Sequence, residues 1–171
     1  MPRADVYWVP GPWPGRLGIV PRPRGGDWLA DEVRSWRESG LSVVVSLLTP
    51  EEVAEFGLES EAELSRRAGL EFRSLSIPDL GVPPSRAAMA DLAESLEQAL
   101  AAGKGVAVHC RQGIGRSSLA VASVLVAAGV SSGEAFRDIA AARGTSVPET
   151  PEQRRWVETF ASMQDRKAKV A

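Results

Sequence analysis

Gly105-Val106-Ala107-Val108-His109-Cys110-Arg111-Gln112-Gly113-Ile114-Gly115-Arg116-Ser117 is the stretch from which the fold is read. Its opening residues form a short, continuous apolar run, as expected of a strand buried on both faces. Residues 110–115 are a loop containing glycine, and residues 117–128 are apolar nearly all round, the mark of a central helix covered on every side. A buried strand passing through a short loop into a buried helix belongs to an α/β layer structure. In such sheets ligands sit off the carboxyl ends of the strands, so the strand end at His109 is where a site is expected.

The flanking sequence alternates in the same way. Residues 1–26 are rich in Pro, Gly and Arg and hold two short strand candidates, 6–9 and 16–20, which the neighbouring prolines mark as edge pieces. Asp27 is placed to cap a helix to Ser39 that carries Trp28, Leu29, Val33 and Trp36, and Gly40 stops it. Residues 42–48 read as a second buried strand, followed by two short charged helices at 50–56 and 59–68. Residues 71–77 alternate imperfectly as a strand. A helix at 85–101 places Met89, Leu92, Leu96 and Leu100 on one face and ends at Gly103. Ser131 or Ser132 caps a helix carrying Ala135, Phe136 and Ile139. The last helix has Thr150 as N-cap, Pro151 at its first position, and Trp156, Val157, Phe160 and Met163 turned inward. The expected fold is a single α/β domain over residues 1–171, with a central, mostly parallel sheet flanked by helices.

Composition removes whole classes of function. The chain has 171 residues, with 20 Lys and Arg against 22 Asp and Glu. This near balance gives no general pull toward nucleic acid or membrane, so any anion must be caught by local geometry. There is one cysteine and one histidine, and they are neighbours, His109 and Cys110. A lone thiol excludes an internal disulfide, a clustered-cysteine metal centre and a CxxC redox site. No signal-peptide pattern opens the chain, and the longest apolar run, 119–130, is short of the ~20 residues of a membrane span. A reducing compartment, the cytoplasm, is the expected location.

A short loop between a buried strand and a helix curls its backbone N–H groups into one concavity and adds the positive end of the helix dipole, a cradle suited to a tetrahedral dianion. Cys110 opens this loop, where the same field favours the thiolate. Arg116 returns to the concavity with a planar guanidinium that matches two phosphate oxygens. An inert packing role for Cys110 would give no use to the arginine or the glycines. Cys-x5-Arg-Ser preceded by His, with Gly113 and Gly115 inside, resembles the signature loop of the cysteine-dependent protein tyrosine phosphatase superfamily. The likeness is strongest over these nine residues, and the chain length is similar to the compact dual-specificity branch.

The resemblance implies a thiol nucleophile, Cys110, and a phosphate site made by Arg111, Gln112, Gly113, Ile114, Gly115 and Arg116. His109 then supports the loop and tunes the thiolate rather than donating a proton. A leaving alkoxide or phenoxide needs a proton donor, and with no second histidine that donor is a carboxylic acid. Asp79, in Ser76-Ile77-Pro78-Asp79-Leu80-Gly81, follows a strand and opens a Pro/Gly-rich loop. Its separation from Cys110 is similar to that of the general acid in dual-specificity phosphatases, although Ile77 stands where tyrosine-specific enzymes carry tryptophan. An ordinary turn residue is the competing reading of Asp79, and Asp91, inside a helix, is the weaker rival acid. Ser117 is placed either to hydrogen-bond the sulfur or to cap the helix. Gln153 resembles the glutamine that positions water in some members, and equally completes a capping box with Thr150.

The function implied is hydrolysis of phosphotyrosine, with phosphoserine and phosphothreonine left open, in a phosphorylated protein or peptide partner, through a cysteinyl phosphate and with no metal or cofactor. A phosphoinositide or inositol-phosphate phosphatase is the alternative within the superfamily. Such members often carry two basic loop residues, and here Arg111 is basic but Ile114 is not. A sulfurtransferase loop commonly lacks this spacing to Arg, and an arsenate reductase needs further thiols. A non-enzymatic phosphate-recognition module would be expected to have lost Cys110, Arg116 or Asp79.

Overall fold

Strand β5 (Gly105–His109) forms where the sequence places it, and the sheet is arranged around it. In the computed structural model, which describes residues 3–170, the strands run in the order β1-β2-β5-β3-β4. Here β1 is Tyr7–Val9, β2 Arg16–Ile19, β3 Leu41–Ser46 and β4 Glu71–Ser74. β5 pairs in parallel with β2 and β3, and β3 in parallel with β4, while β1 runs antiparallel to β2. The mostly parallel α/β fold expected from the sequence is therefore the fold observed.

β2 is not the edge piece that its prolines suggest. It lies between β1 and β5 with Leu17, Gly18 and Ile19 buried. Pro14 and Pro21 fall outside the strand, so no ladder N–H is lost to proline. The β3–β5 register slips between Leu41 and Val43, and beside that slip a Cβ on Gly105 would lie 2.4 Å from the Gly40 carbonyl oxygen. Only glycine permits this close approach at the start of the site-bearing strand.

Successive residues of the central strands face opposite layers. Val43, Val45, Val106 and Val108 join a core made with α4 (Arg86–Ala101), α5 (Arg116–Ala127), α6 (Ser132–Arg143) and α7 (Pro151–Val170). Val44 and Ala107 point the other way, to Leu29, Val33 and Trp36 of α1 (Leu29–Glu38), with Val53 of α2 (Pro50–Glu55) and Leu64 of α3 (Glu61–Arg67) packed alongside. α5 is sealed on all sides, with every residue from Arg116 to Val126 buried. Among the described residues no helix is long and apolar enough to cross a membrane.

Three local expectations are corrected. Asp27 lies inside a 3₁₀ turn, Gly26–Trp28, and does not cap α1, whose N-cap is Trp28 without a side-chain bond. Met163 is 43% exposed, because the inward stripe of α7 passes through Val157 and Phe160 and has turned away by the next helical turn. Ser117 is not a cap, since Gly115 holds the N-cap position of α5. The Ser131 cap and the Thr150 cap form as expected, with Ser131 accepting from the Glu134 N–H and Thr150 from the Gln153 N–H.

Leu119 is fully buried in α5, in the middle of the larger core. Leu119→Ala is expected to cost about 2–5 kcal/mol in urea denaturation, the range for a buried Leu truncation. Met163→Ala on the exposed face of α7 is expected to cost under about 1 kcal/mol.

Candidate active site

The site is built at the carboxyl end of β5, where the chain turns through residues 110–115 into α5. Cys110 is 2% exposed, and its Sγ accepts the Gly113 N–H at 3.2 Å. Gly113 has φ +72, and a Cβ there would sit 3.2 Å from Ile19 Cγ2. The loop therefore needs glycine for its conformation as well as for its fit against β2.

Arg143 of α6 fixes the outer wall of the loop. Its Nε donates to the Gly113 carbonyl at 2.8 Å, its Nη2 donates to the Gln112 carbonyl at 3.3 Å, and its guanidinium lies over the Tyr7 ring. With these carbonyls held outward, the peptide N–H groups are free to face the concavity. Those of Arg111, Gln112, Ile114 and Arg116 donate to no other group among the described residues. The Gly115 N–H instead donates to Glu149 Oε1 at 3.0 Å. The Arg111 side chain leaves the cradle and lies 5.2 Å from the Phe56 ring centroid, with Glu55 3.9 Å away.

Arg116 is 1% exposed, and both of its terminal nitrogens are engaged. Nη1 donates to Glu52 Oε1 at 2.7 Å and to the Ile77 carbonyl at 2.8 Å. Nη2 donates to Glu52 Oε2 at 2.8 Å and to Asp79 Oδ1 at 3.2 Å. Burial opposes its charge, but Glu52, Cys110 and Asp79 outweigh that and raise its pKa. The Arg116 hydrogen bond, against the opposing cost of burial, holds the Glu52 carboxyl down to about 2.

Asp79 is half-exposed, and its Oδ1 also accepts the Leu80 N–H at 3.0 Å. The turn that carries it is closed by the Gly81 N–H donating to the Pro78 carbonyl at 2.8 Å. Leu80 has φ +61, a conformation strained for a residue with a side chain. Gln153 Nε2 donates to the Gly81 carbonyl at 3.1 Å, while its Oε1 accepts the N–H groups of Glu149 and Thr150. The capping box is thus formed, and its glutamine also ties the Asp79 turn to α7. Asp91, the rival acid, is an exposed residue of α4.

His109 is fully buried, with Nε2 2.6 Å from Glu61 Oε1 and its ring stacked on Trp36. Ser117 is also fully buried, and its Oγ has no partner among the described residues. Among the described residues no group of three His, Cys, Asp or Glu side chains could hold a metal ion.

Four residues of this constellation, Glu52, Glu61, Arg143 and Glu149, were not marked by sequence reasoning. The signal for Glu52 was present in Thr49-Pro50-Glu51-Glu52, a capping box that the structure forms in full. A guanidinium buried beneath a sheet end requires a carboxylate, and Glu52 supplies it from the first turn of α2, the helix that follows β3.

The fold and this loop place the chain in the cysteine-dependent protein tyrosine phosphatase superfamily. Kinase associated phosphatase (KAP), solved with its catalytic-site cysteine replaced by serine, aligns with TM-score 0.82 and 17% identity over 96% of this chain and 98% of that one. Tk-PTP in its active form gives 0.72 and 25% identity over 86% and 92%. PTPMT1 in complex with PI(5)P gives 0.75 and 23% over 89% and 94%. No curated protein sequence matches the chain. Residues 20–130 match the family model Tc-R-P, described as polymorphic toxin system, DSP-PTPase phosphatase, and the chain belongs to that family.

The Glu52–Arg116 pair sets an acid dependence. Because the Glu52 pKa is lowered on folding, its contribution to stability is complete above about 4.5 and is lost as pH falls toward about 2. Glu52→Gln is expected to lose stability at neutral pH by chemical denaturation, and the gap to wild type is expected to close across that acid window.

Proposed function

We propose that this phosphatase hydrolyses phosphotyrosine in a protein or peptide, with phosphoserine and phosphothreonine as secondary substrates, and that residues 1–171 act as one catalytic domain. The observation that carries the reading is Arg116, buried beside the Cys110 loop, locked by Glu52 and 3.2 Å from the Asp79 carboxylate.

In the proposed cycle the ester phosphate lies on the free loop N–H groups and on the Arg116 guanidinium, whose Nε donates to no other group among the described residues and whose Nη2 exchanges Asp79 for a phosphate oxygen. The Cys110 thiolate attacks phosphorus, the bond from phosphorus to the ester oxygen breaks, and Asp79 gives its proton to the departing oxygen. Water then attacks the cysteinyl phosphate. Asp79 takes the proton of that water, the S–P bond breaks, and Ser117 Oγ, which has no other partner, donates a hydrogen bond to the leaving sulfur. Arg116 and the loop N–H groups carry the charge in both transition states. His109, held by Glu61, anchors the strand end directly before the nucleophile and so supports the loop, and Gln153 holds the acid turn in place. Ile114, apolar beside the cradle, favours a protein substrate over a multiply phosphorylated inositol. A chemistry that depends on one reduced thiol suits the cytoplasm.

Cys110→Ser is expected to abolish turnover of p-nitrophenyl phosphate while phosphate still binds by calorimetry, and EDTA is expected to leave the wild-type rate unchanged. Turnover that persists in Cys110→Ser would overturn the mechanism. Asp79→Asn is expected to lower kcat by about 10²- to 10⁴-fold on a phosphotyrosine peptide. The loss should be smaller on p-nitrophenyl phosphate, whose leaving group needs less protonation. Rates on phosphotyrosine and phosphothreonine peptides and a phosphoinositide, measured side by side, test the substrate class, with the phosphotyrosine peptide expected to be fastest.

A further inference from the structure

Beside the mouth of the loop lies a group of arginines and aromatic rings that the proposed cycle does not use. The Arg22 guanidinium stacks 3.5 Å from the centroid of Phe56, the ring that also carries Arg111 at 5.2 Å. Two cations therefore share one ring, and one of them belongs to the residue that follows Cys110. Next along the chain, Arg24 lies over Trp28, which is 57% exposed.

The carboxylates around this group do not neutralise it. Arg24 pairs with Glu32 at 2.7 Å, and Arg111 is only within 3.9 Å of Glu55. Glu52 is committed to Arg116. Arg22 has no carboxylate partner among the described residues. Its position is also well defined. Pro21 and Pro23 restrict the backbone on either side, and the Gly26 N–H donates to the Gly57 carbonyl at 3.0 Å, docking this segment on the turn that bears Phe56. In a chain of net charge -2, a guanidinium with no carboxylate partner, seated on the same ring as a second one, marks a place for an anion.

We infer that Arg22, seated on Phe56 beside Arg111, reads an acidic side chain close to the phosphorylated residue of a peptide substrate. The inference rests on the phosphatase reading above and adds the substrate's second recognition element. The anion is one the enzyme does not cleave. An extended peptide rises about 3.3 Å per residue, and the residues next to the phosphorylated one pass Arg111, the loop residue that shares the Phe56 ring with Arg22. A peptide is favoured over an inositol headgroup because exposed aromatic surface at Trp28 continues the strip beyond the charges.

The test compares kcat/KM on two phosphotyrosine peptides that differ only in flanking residues, Asp and Glu in one, Asn and Gln in the other. Wild type is expected to prefer the acidic peptide about fivefold at low salt, with the preference shrinking as salt is raised. Arg22→Gln is expected to bring the ratio close to one. Arg34→Gln, on the exposed face of α1 and paired with Asp31, makes the same charge change away from the strip and is expected to keep the preference. A wild-type ratio near one with both peptides hydrolysed, or a ratio that survives Arg22→Gln, overturns the inference and leaves the phosphatase reading standing. A phosphoinositide turned over faster than either peptide, with that advantage lost in Arg22→Gln, also overturns it in favour of a lipid headgroup. Failure to hydrolyse both peptides and p-nitrophenyl phosphate would remove the phosphatase reading itself and this inference with it.

Discussion

The bidentate pair between Arg116 and Glu52 is the constraint around which the site is organised. A guanidinium almost without exposure is tolerated only when a carboxylate meets it in good geometry and the remaining donors are satisfied. Here the carboxylate does two jobs, since Glu52 Oε1 also accepts the Thr49 N–H and so completes the start of α2. The third contact, to the Ile77 carbonyl, draws the chain after β4 across the sheet end and delivers Asp79 to the same arginine. One charged group thus joins the end of the Cys110 loop, the first turn of a helix and the turn that bears Asp79.

A second set of contacts works from the opposite side. Arg143 holds two loop carbonyls outward, Glu149 holds the Gly115 N–H, and Gln153 reaches across to the Gly81 carbonyl. Arg143 lies in α6, while Glu149 and Gln153 lie just before and within the first turn of α7, so the two C-terminal helices act as a frame for loops formed much earlier in the chain. The cradle is shaped by outward contacts before any anion arrives. Preorganised N–H dipoles of this kind need little rearrangement when charge develops on a bound phosphoryl group.

What could be read from the sequence followed from local chemistry. The strand at 105–109, the loop and the buried helix after it combine apolar patterning with residues whose spacing admits few other uses, so both the fold and the Cys110–Arg116 unit were legible. The supporting glutamates were not. Glu52 and Glu61 sit in short charged helices where surface exposure is the ordinary state of a glutamate, and only the tertiary fold brings them to Arg116 and His109. β2 was misjudged for a related reason. Prolines near a short strand suggest an edge, yet its neighbour on the outer side is β1, which closes the sheet by an antiparallel return. Asp27 and Met163 show the limit of periodicity at helix ends, where a 3₁₀ turn or a slow drift of the stripe changes what a residue faces.

The contacts around Arg116 join residues from widely separated parts of the chain, with partners 39 and 64 positions away for this one side chain. Such contacts are late and costly in chain entropy, because long loops must close before they are made. An intermediate that had formed only the sheet and α5 would hold Cys110 in place but leave Arg116 without its carboxylate. The Arg116 guanidinium is therefore set only in the completed tertiary structure, and the contacts of Arg143, Glu149 and Gln153 make the same loops depend on α6 and α7 as well.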